Sequence, residues 1–407
     1  MKALSLAIDA HHALTPELRE QIVQNVRARL QDPPYRLLSP EHFRTLAMLD
    51  TAGHPVVSLY LELTPERRVG RAWQSAFSAL THQVFQTMDE AVRNSVNADL
   101  QDIQRALDDQ LPELGRGAAF FACRERGIWR QIALPIPLPD RIQIGPRPYL
   151  RPLLRCWGRS DRMLVALLSR EQSRFFVSHL GTVEEIYRVK GQRIRGMLTD
   201  RVPRDRRDAL ANQLMKDEAK ALASMTEVIG RELETSHFLL CAPPDMNAAF
   251  RAHLSKESLS RLGMFEANVH ASPTEIGAAA AAVQEQLKVR EERGLVDQLR
   301  EASPVAVSTG VQETLDCLSE GRVLTLVADD SYAADGTHCR QCGCLFETTQ
   351  LSKCPACGET DLEPIDDLVE AALQQALERR AQVVFIRDPA RRLALAEKAP
   401  LQALLRY

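Results

Sequence analysis

Five of the nine cysteines in this 407-residue chain crowd into one short stretch, as Cys339-Arg-Gln-Cys342-Gly-Cys344 followed by Cys354-Pro-Ala-Cys357-Gly358. Two Cys-x-x-Cys pairs are separated by eleven residues. The two-residue gap folds each pair back on itself and turns both sulfurs toward one centre. A glycine follows each pair, Gly343 and Gly358, and relieves the tight turn after the second sulfur. Four thiolates are the donor set of a structural Zn²⁺ site, soft and tetrahedral, with no position left open for catalysis. Cys339, Cys342, Cys354 and Cys357 are the expected ligands, and Cys344 and His338 are near enough to blur that list. Disulfides are the competing use, but they belong to oxidising compartments. The other four cysteines, Cys123, Cys156, Cys241 and Cys317, lie singly in or near apolar stretches, as buried thiols of a cytoplasmic protein do.

A ribbon of this size must be held by its flanks. The apolar segment Arg322–Val327 precedes it and reads as a strand. An amphipathic helix, Ile365–Arg380, and a further strand, Gln382–Arg387, follow it. The ribbon, 338–358, is therefore an insertion in a C-terminal α/β domain, 286–407, whose tail Ala390–Tyr407 reads as a helix on the outside. The fold class expected for the whole chain is α/β (mixed α+β) in three domains.

The first domain, 1–145, carries the helix Pro16–Leu30 with Thr15 as cap, the strand Val56–Leu63, helices over Arg71–Met88 and Asp99–Leu111, and strands Gly117–Cys123 and Gly127–Leu134. The proline-rich stretch 135–152 reads as a connector. The middle domain, 146–285, opens with strands Met163–Ser169, Arg174–His179 and Val183–Val189, the last two forming a hairpin. A long helix, Asp205–Leu233, then the strand His237–Cys241, a helix from Asp245 and the strand Phe265–His270 follow, and a helix Pro273–Arg300 bridges into the third domain.

The net charge is −3, with hydrophobic residues at 45% and charged residues at 26%. A chain of this balance is globular, and any nucleic-acid contact must be local rather than spread over the surface. No apolar run approaches the ~18 residues of a membrane span, and Asp9 breaks the only apolar patch near the N-terminus, so neither a membrane helix nor a secretory signal is expected. Phosphate-binding loops, nucleophile elbows and metalloprotease motifs are absent. The adjacent pair His11-His12 reads as solvent-exposed.

One local imbalance stands out against that background. Between the third strand of the middle domain and its long helix, residues 188–207 hold eight Lys or Arg against Asp200 and Asp205, a net +6. These are Arg188, Lys190, Arg193, Arg195, Arg201, Arg204, Arg206 and Arg207. A loop that gathers cations and includes Gly191 and Gly196 suits close approach to a phosphate backbone, and arginine also stacks on unpaired bases. A solvated helix start with paired arginines is the plainer reading of the same charge run.

The order of an α/β N-domain, a middle domain with a basic loop before a long helix, and a third domain with a four-cysteine insertion resembles the archaeal/eukaryotic class-I release factor and Pelota superfamily over essentially the whole chain. The segments Val56-Val-Ser-Leu-Tyr60-Leu61 and Arg174-Phe-Phe176 resemble its bacterial branch, which includes proteins like the ribosome-hibernation factor Balon. Release factors of the family carry Gly-Gly-Gln on the middle-domain loop; here the matching position reads Lys190-Gly191-Gln192. Gly191 and Gln192 match and the first glycine does not, and lysine adopts a positive φ less readily than glycine. No Asn-Ile-Lys-Ser, the stop-codon motif, is present in the N-domain.

The resemblance implies a ribosome-binding factor in the A site, contacting ribosomal RNA, for hibernation or for recognition of stalled ribosomes, without stop-codon decoding. It implies delivery by a translational GTPase such as elongation factor Tu, a monomeric state, and no membrane or DNA partner. Peptidyl-tRNA hydrolysis with Gly191 and Gln192 at the reaction centre is the alternative, and a zinc-ribbon scaffold that binds only protein is a third reading.

Overall fold

The computed structural model describes residues 4–7, 14–30, 40–157, 162–179, 182–190 and 204–406. They fall into two compact units. One joins the described residues of 1–36 to those of 160–288; the other joins 40–157 to 289–406.

In chain order the N-terminal elements are β1 (Leu4–Ala7), α1 (Pro16–Leu30), α2 (Pro40–Ala47), β2 (Val56–Glu62), α3 (Pro65–Val69), α4 (Ala72–Thr87), α5 (Glu90–Gln110), β3 (Gly117–Cys123), β4 (Ile128–Leu134), β5 (Arg141–Gly145) and α6 (Arg151–Trp157). Thr15 caps α1 by accepting the Leu18 N–H at 3.3 Å, with Pro16 at the first helical position. Strands β4-β3-β2-β5 make an antiparallel sheet. Its Val57, Leu59, Leu61 and Phe120 pack on Trp73 and Phe77 of α4 and on Leu100, Ile103 and Leu107 of α5, which recur at helical spacing on one face. The proline-rich connector differs from expectation: it contains β5, paired with β2. Its prolines flank the strand and do not interrupt it, so no ladder hydrogen bond is lost.

The middle of the chain supplies β6 (Met163–Leu167), β7 (Gln172–His179), β8 (Thr182–Lys190), α7 (Arg204–Glu232), β9 (His237–Cys241), α8 (Pro244–Arg251), α9 (Lys256–Ser260), β10 (Leu262–Met264) and α10 (Pro273–Glu301). Together with β1 they form a sheet of order β1-β8-β7-β6-β9-β10, in which β6-β7-β8 is antiparallel and the other pairs are parallel. Both faces are covered. Ile22 and Val26 of α1 and Leu222, Met225 and Ile229 of α7 bury one face; Ile276, Ala280 and Leu287 of α10 bury the other. This is why β6 and β7 read as continuous apolar runs. β1 and α1 differ from the expected N-terminal domain in this respect: β1 is a strand of the middle sheet, and α1 packs on its face.

The strand expected at Phe265–His270 is not formed. After β10 the Asn268 side chain accepts the His270 N–H at 2.8 Å, and the Ala271 N–H returns to the Asn268 carbonyl at 2.9 Å. That Asx turn diverts the backbone from the ladder. A capping box between Ser272 and Glu275 then starts α10.

The C-terminal elements are β11 (Val307–Ser308), α11 (Val311–Ser319), β12 (Val323–Asp329), β13 (Gly336–Cys339), β14 (Leu345–Phe346), β15 (Leu362–Ile365), α12 (Leu368–Glu378), β16 (Gln382–Ile386), α13 (Pro389–Ala396) and β17 (Leu401–Leu405). The tail also differs from the expected single helix. Its helix ends at Ala396, and β17 enters the sheet between β11 and β12 in the order β11-β17-β12-β16. Pro400 cannot continue a helix. Leu401 and Ala403 are fully buried, and the Gln402 amide donates to the carbonyls of Leu395 and Ala399 at 2.8 Å each.

Within this unit α12 also meets the segment around α6. The Glu370 carboxylate accepts the backbone N–H groups of Leu150 and Arg151 at 2.7 and 2.8 Å, and so caps α6 from another element. Arg147, Arg151 and Arg155 pair with Glu378, Asp367 and Asp330 at 2.7, 3.0 and 2.5 Å. Burial raises the Glu370 pKa to about 7, although the Leu150 N–H and the Gln374 amide pull the other way.

Candidate functional site

The four expected ligands meet. The sulfurs of Cys339, Cys342, Cys354 and Cys357 all lie within 4.8 Å of one another, with Cys339–Cys357 and Cys342–Cys354 at 3.6 Å. Each pair sits in the same kind of turn: Gly343 N–H donates to the Cys339 carbonyl at 2.8 Å, and Gly358 N–H to the Cys354 carbonyl at 2.9 Å. Both glycines have positive φ, +77° and +80°, where a side chain would be strained. Strands β14-β13-β15 frame the centre, and Phe346 packs beside Cys339 and Cys354.

A tetrahedral Zn²⁺ with sulfurs at ~2.3 Å places them about 3.8 Å apart, so this donor set fits such an ion. Burial opposes ionisation of Cys354, yet backbone N–H groups of Cys357 and Ala356 and the neighbouring thiols bring it down to about 7. His338 and Cys344 stand outside the set. His338 Nδ1 faces Glu363 at 3.8 Å, and the Cys344 carbonyl accepts the Cys339 N–H. A cleft of about 900 Å³ lies beside the ribbon, lined by Cys342, Gly343, Glu363, Asp367 and Glu378. Three of its carboxylates are engaged: Glu363 by Arg340, Asp367 by Arg151, Glu378 by Arg147.

The basic run is divided by the structure. Residues 191–203, with Gly191, Gln192, Arg193, Arg195 and Arg201, lie outside the described residues, as do the side chains of Arg204 and Arg207. Lys190 is the last residue of β8, exposed, with Ala7 of β1 and Gln172 of β7 as its neighbours across the sheet. Arg206 is exposed in the first turn of α7, which begins at Arg204. The strand end and the helix start therefore bracket the segment.

Arg188 is committed elsewhere. Its Nε and Nη2 donate to Glu185 at 2.7 and 2.8 Å. Glu185 also receives Arg174, from Nε at 3.2 Å and Nη2 at 2.7 Å. Burial pushes the Glu185 carboxyl up, but hydrogen bonds from Arg188 and Arg174 outweigh it and hold the pKa near 2. Arg174 further donates to the carbonyls of Val269 and Ala271 and lies over the Phe176 ring at 4.7 Å. Glu185, and the pairing of Arg174 with it, went unread in the sequence. A lone arginine ahead of Phe175-Phe176-Val177 in a buried strand was the available signal, since such a charge needs a partner.

Residues 148–285 match the family model for bacterial archaeo-eukaryotic release factor family 10. The matched segment runs from just before α6 into α10. Among solved structures, a model of ribosome-bound archaeal Pelota and ABCE1 is similar at 16% identity, covering 72% of this chain and 77% of that one, with a TM-score of 0.39. Saccharomyces cerevisiae Dom34 is similar at 10% identity over 69% and 72%, TM-score 0.38. Archaeoglobus fulgidus Pelota is similar at 14% over 72% and 79%, TM-score 0.33. No curated protein matches the sequence. Among the described residues no helix is long and apolar enough to cross a membrane.

Proposed function

We propose that this protein is a ribosome-binding translation factor of the release-factor/Pelota type. It occupies the A site for hibernation or stalled-ribosome recognition and does not decode stop codons. The observation that carries this reading is the family match over 148–285, the segment in which β8 passes into α7 through the basic run. Lys190, Arg193, Arg195, Arg201, Arg204, Arg206 and Arg207 supply the charge that holds ribosomal RNA, a contact made local by the acidic balance of the rest of the chain. The four cysteines hold a structural Zn²⁺, and metal binding there contributes directly to folding. The protein acts as a cytoplasmic monomer, delivered by a translational GTPase such as elongation factor Tu.

Gly191-Gln192 supports a second reading, peptidyl-tRNA hydrolysis, against which Lys190 stands in place of the family's first glycine. Co-sedimentation of the full chain with 70S ribosomes at two salt concentrations tests the first reading. Salt-sensitive binding, lost when Arg193, Arg195, Arg201 and Arg204 are all changed to Gln, is the expected result. Absence of wild-type binding would leave a protein-binding scaffold. A release assay on Gln192→Ala then separates a binder, little affected, from a hydrolase, abolished with binding intact.

A further inference from the structure

The β7–β8 ladder contains a feature that the basic run alone does not explain. Arg174 stands opposite Arg188 and Phe175 opposite Tyr187, but Phe176 stands opposite Glu185, so Ile186 is an extra residue in β8. In a regular strand, residues three apart point to opposite faces of the sheet. The bulge cancels that alternation, and both Arg188 and Arg174 reach the one carboxylate of Glu185. Two arginines directly across a ladder would repel; Glu185 lies between them and takes two hydrogen bonds from each. The side chains of Arg174 and Glu185 are 7% and 10% exposed, that of Arg188 43%. Arg174 carries the link on to the Val269 and Ala271 carbonyls in the turn before α10.

We propose that Arg188 is a positioning residue and not an RNA contact. Its fork on Glu185 fixes the end of β8, and with it Lys190, two residues on. The cations that touch phosphate then begin at Lys190. This inference rests on the proposed ribosome-binding function. Its physical content is preorganisation: a root held before binding loses less freedom when the complex forms. Arginine is required because a lysine ammonium keeps the charge but cannot make the planar two-point contact.

The test is equilibrium binding of the full chain to 70S ribosomes across a salt series, for wild type, Arg188→Gln, Arg188→Lys and Lys190→Gln. Thermal melts check that each variant is folded; the Glu185–Arg174 pair survives all three changes. Expected for Arg188→Gln is a loss of affinity of about three- to ten-fold with the slope of log K against log salt unchanged. Arg188→Lys should lose affinity to the same extent. Lys190→Gln should shrink the slope by about 0.7, one phosphate contact. A slope that shrinks in Arg188→Gln, with recovery in Arg188→Lys, would make Arg188 a phosphate contact and overturn the proposal. Unchanged affinity in both Arg188 variants would overturn it as well. Failure of the wild type to bind is a different result: it removes the ribosome-binding reading itself and this inference with it.

Discussion

Cys354 is where the chemistry of single residues bears most directly on the protein. It is buried, its carbonyl closes the second turn through Gly358, and its sulfur is 3.6 Å from that of Cys342. Cys354→Ser replaces a soft thiolate with a poor zinc ligand, and ligand loss becomes a loss of folding energy. The expected outcome is loss of stoichiometric zinc by elemental analysis and a lower melting temperature, reproduced in the wild type by a chelator. A melt indifferent to both treatments would remove the metal from the account. Glu370 predicts a pH effect. Its pKa is raised to about 7 in the folded protein from an ordinary 4.5, chiefly by burial. Such a group favours folding fully below pH 4.5, and its contribution is lost as pH rises to about 7, amounting to about 3 kcal/mol at most. His338, lowered chiefly by burial, acts in the opposite sense. The informative quantity is therefore the stability of wild type relative to Glu370→Gln measured from pH 4.5 to 7.5, which should fall as pH rises. A constant difference would show that Glu370 stays ionised throughout, held by the Leu150 and Arg151 amides.

At the scale of elements, β17 and the bulge in β8 matter most. β17 ends two residues before the C-terminus yet lies between β11 and β12, with Leu401 fully buried. Leu401→Ala should therefore behave as a core truncation and destabilise by about 2–5 kcal/mol in denaturant titration. A surface helix at this position would lose well under 1 kcal/mol from the same change. The Asx turn at Asn268 and Pro400 show the same physics from two sides. A single side-chain acceptor, or a single missing N–H, is enough to end an element whose apolar pattern continues.

The whole molecule divides into two compact units that are not consecutive in sequence. Each has its own core: the six-stranded sheet between α1, α7 and α10 in one, the two four-stranded sheets and the ribbon in the other. Two cores of this kind should unfold as separable steps. Calorimetry is expected to show two transitions, of which the chelator lowers one and leaves the other in place. A single transition that moves as a whole on zinc removal would mean that the units unfold together.

The sequence by itself determined what depends on near neighbours. Cys-x-x-Cys-Gly turns are closed within five residues, so the four-sulfur centre could be read from spacing. The runs Met163–Ser169 and Val183–Val189 announced strands, and Thr15-Pro16 announced a helix start. The charge of 188–207 was likewise a local count. Only the tertiary structure decided which of those charges are engaged. Arg188 looks the same in sequence as Arg206, but one meets a carboxylate that a bulge in its own strand brings to its face, and the other is exposed on α7. The place of β1 in the middle sheet and of β17 inside the last one was also hidden. Strand pairing is set by partners about 180 residues away for β1 and about 80 for β17, and no periodicity within a segment carries that information. Local turns are fixed by bonds the chain makes with itself at once; pairing and charge neutralisation are fixed by what folding later brings alongside.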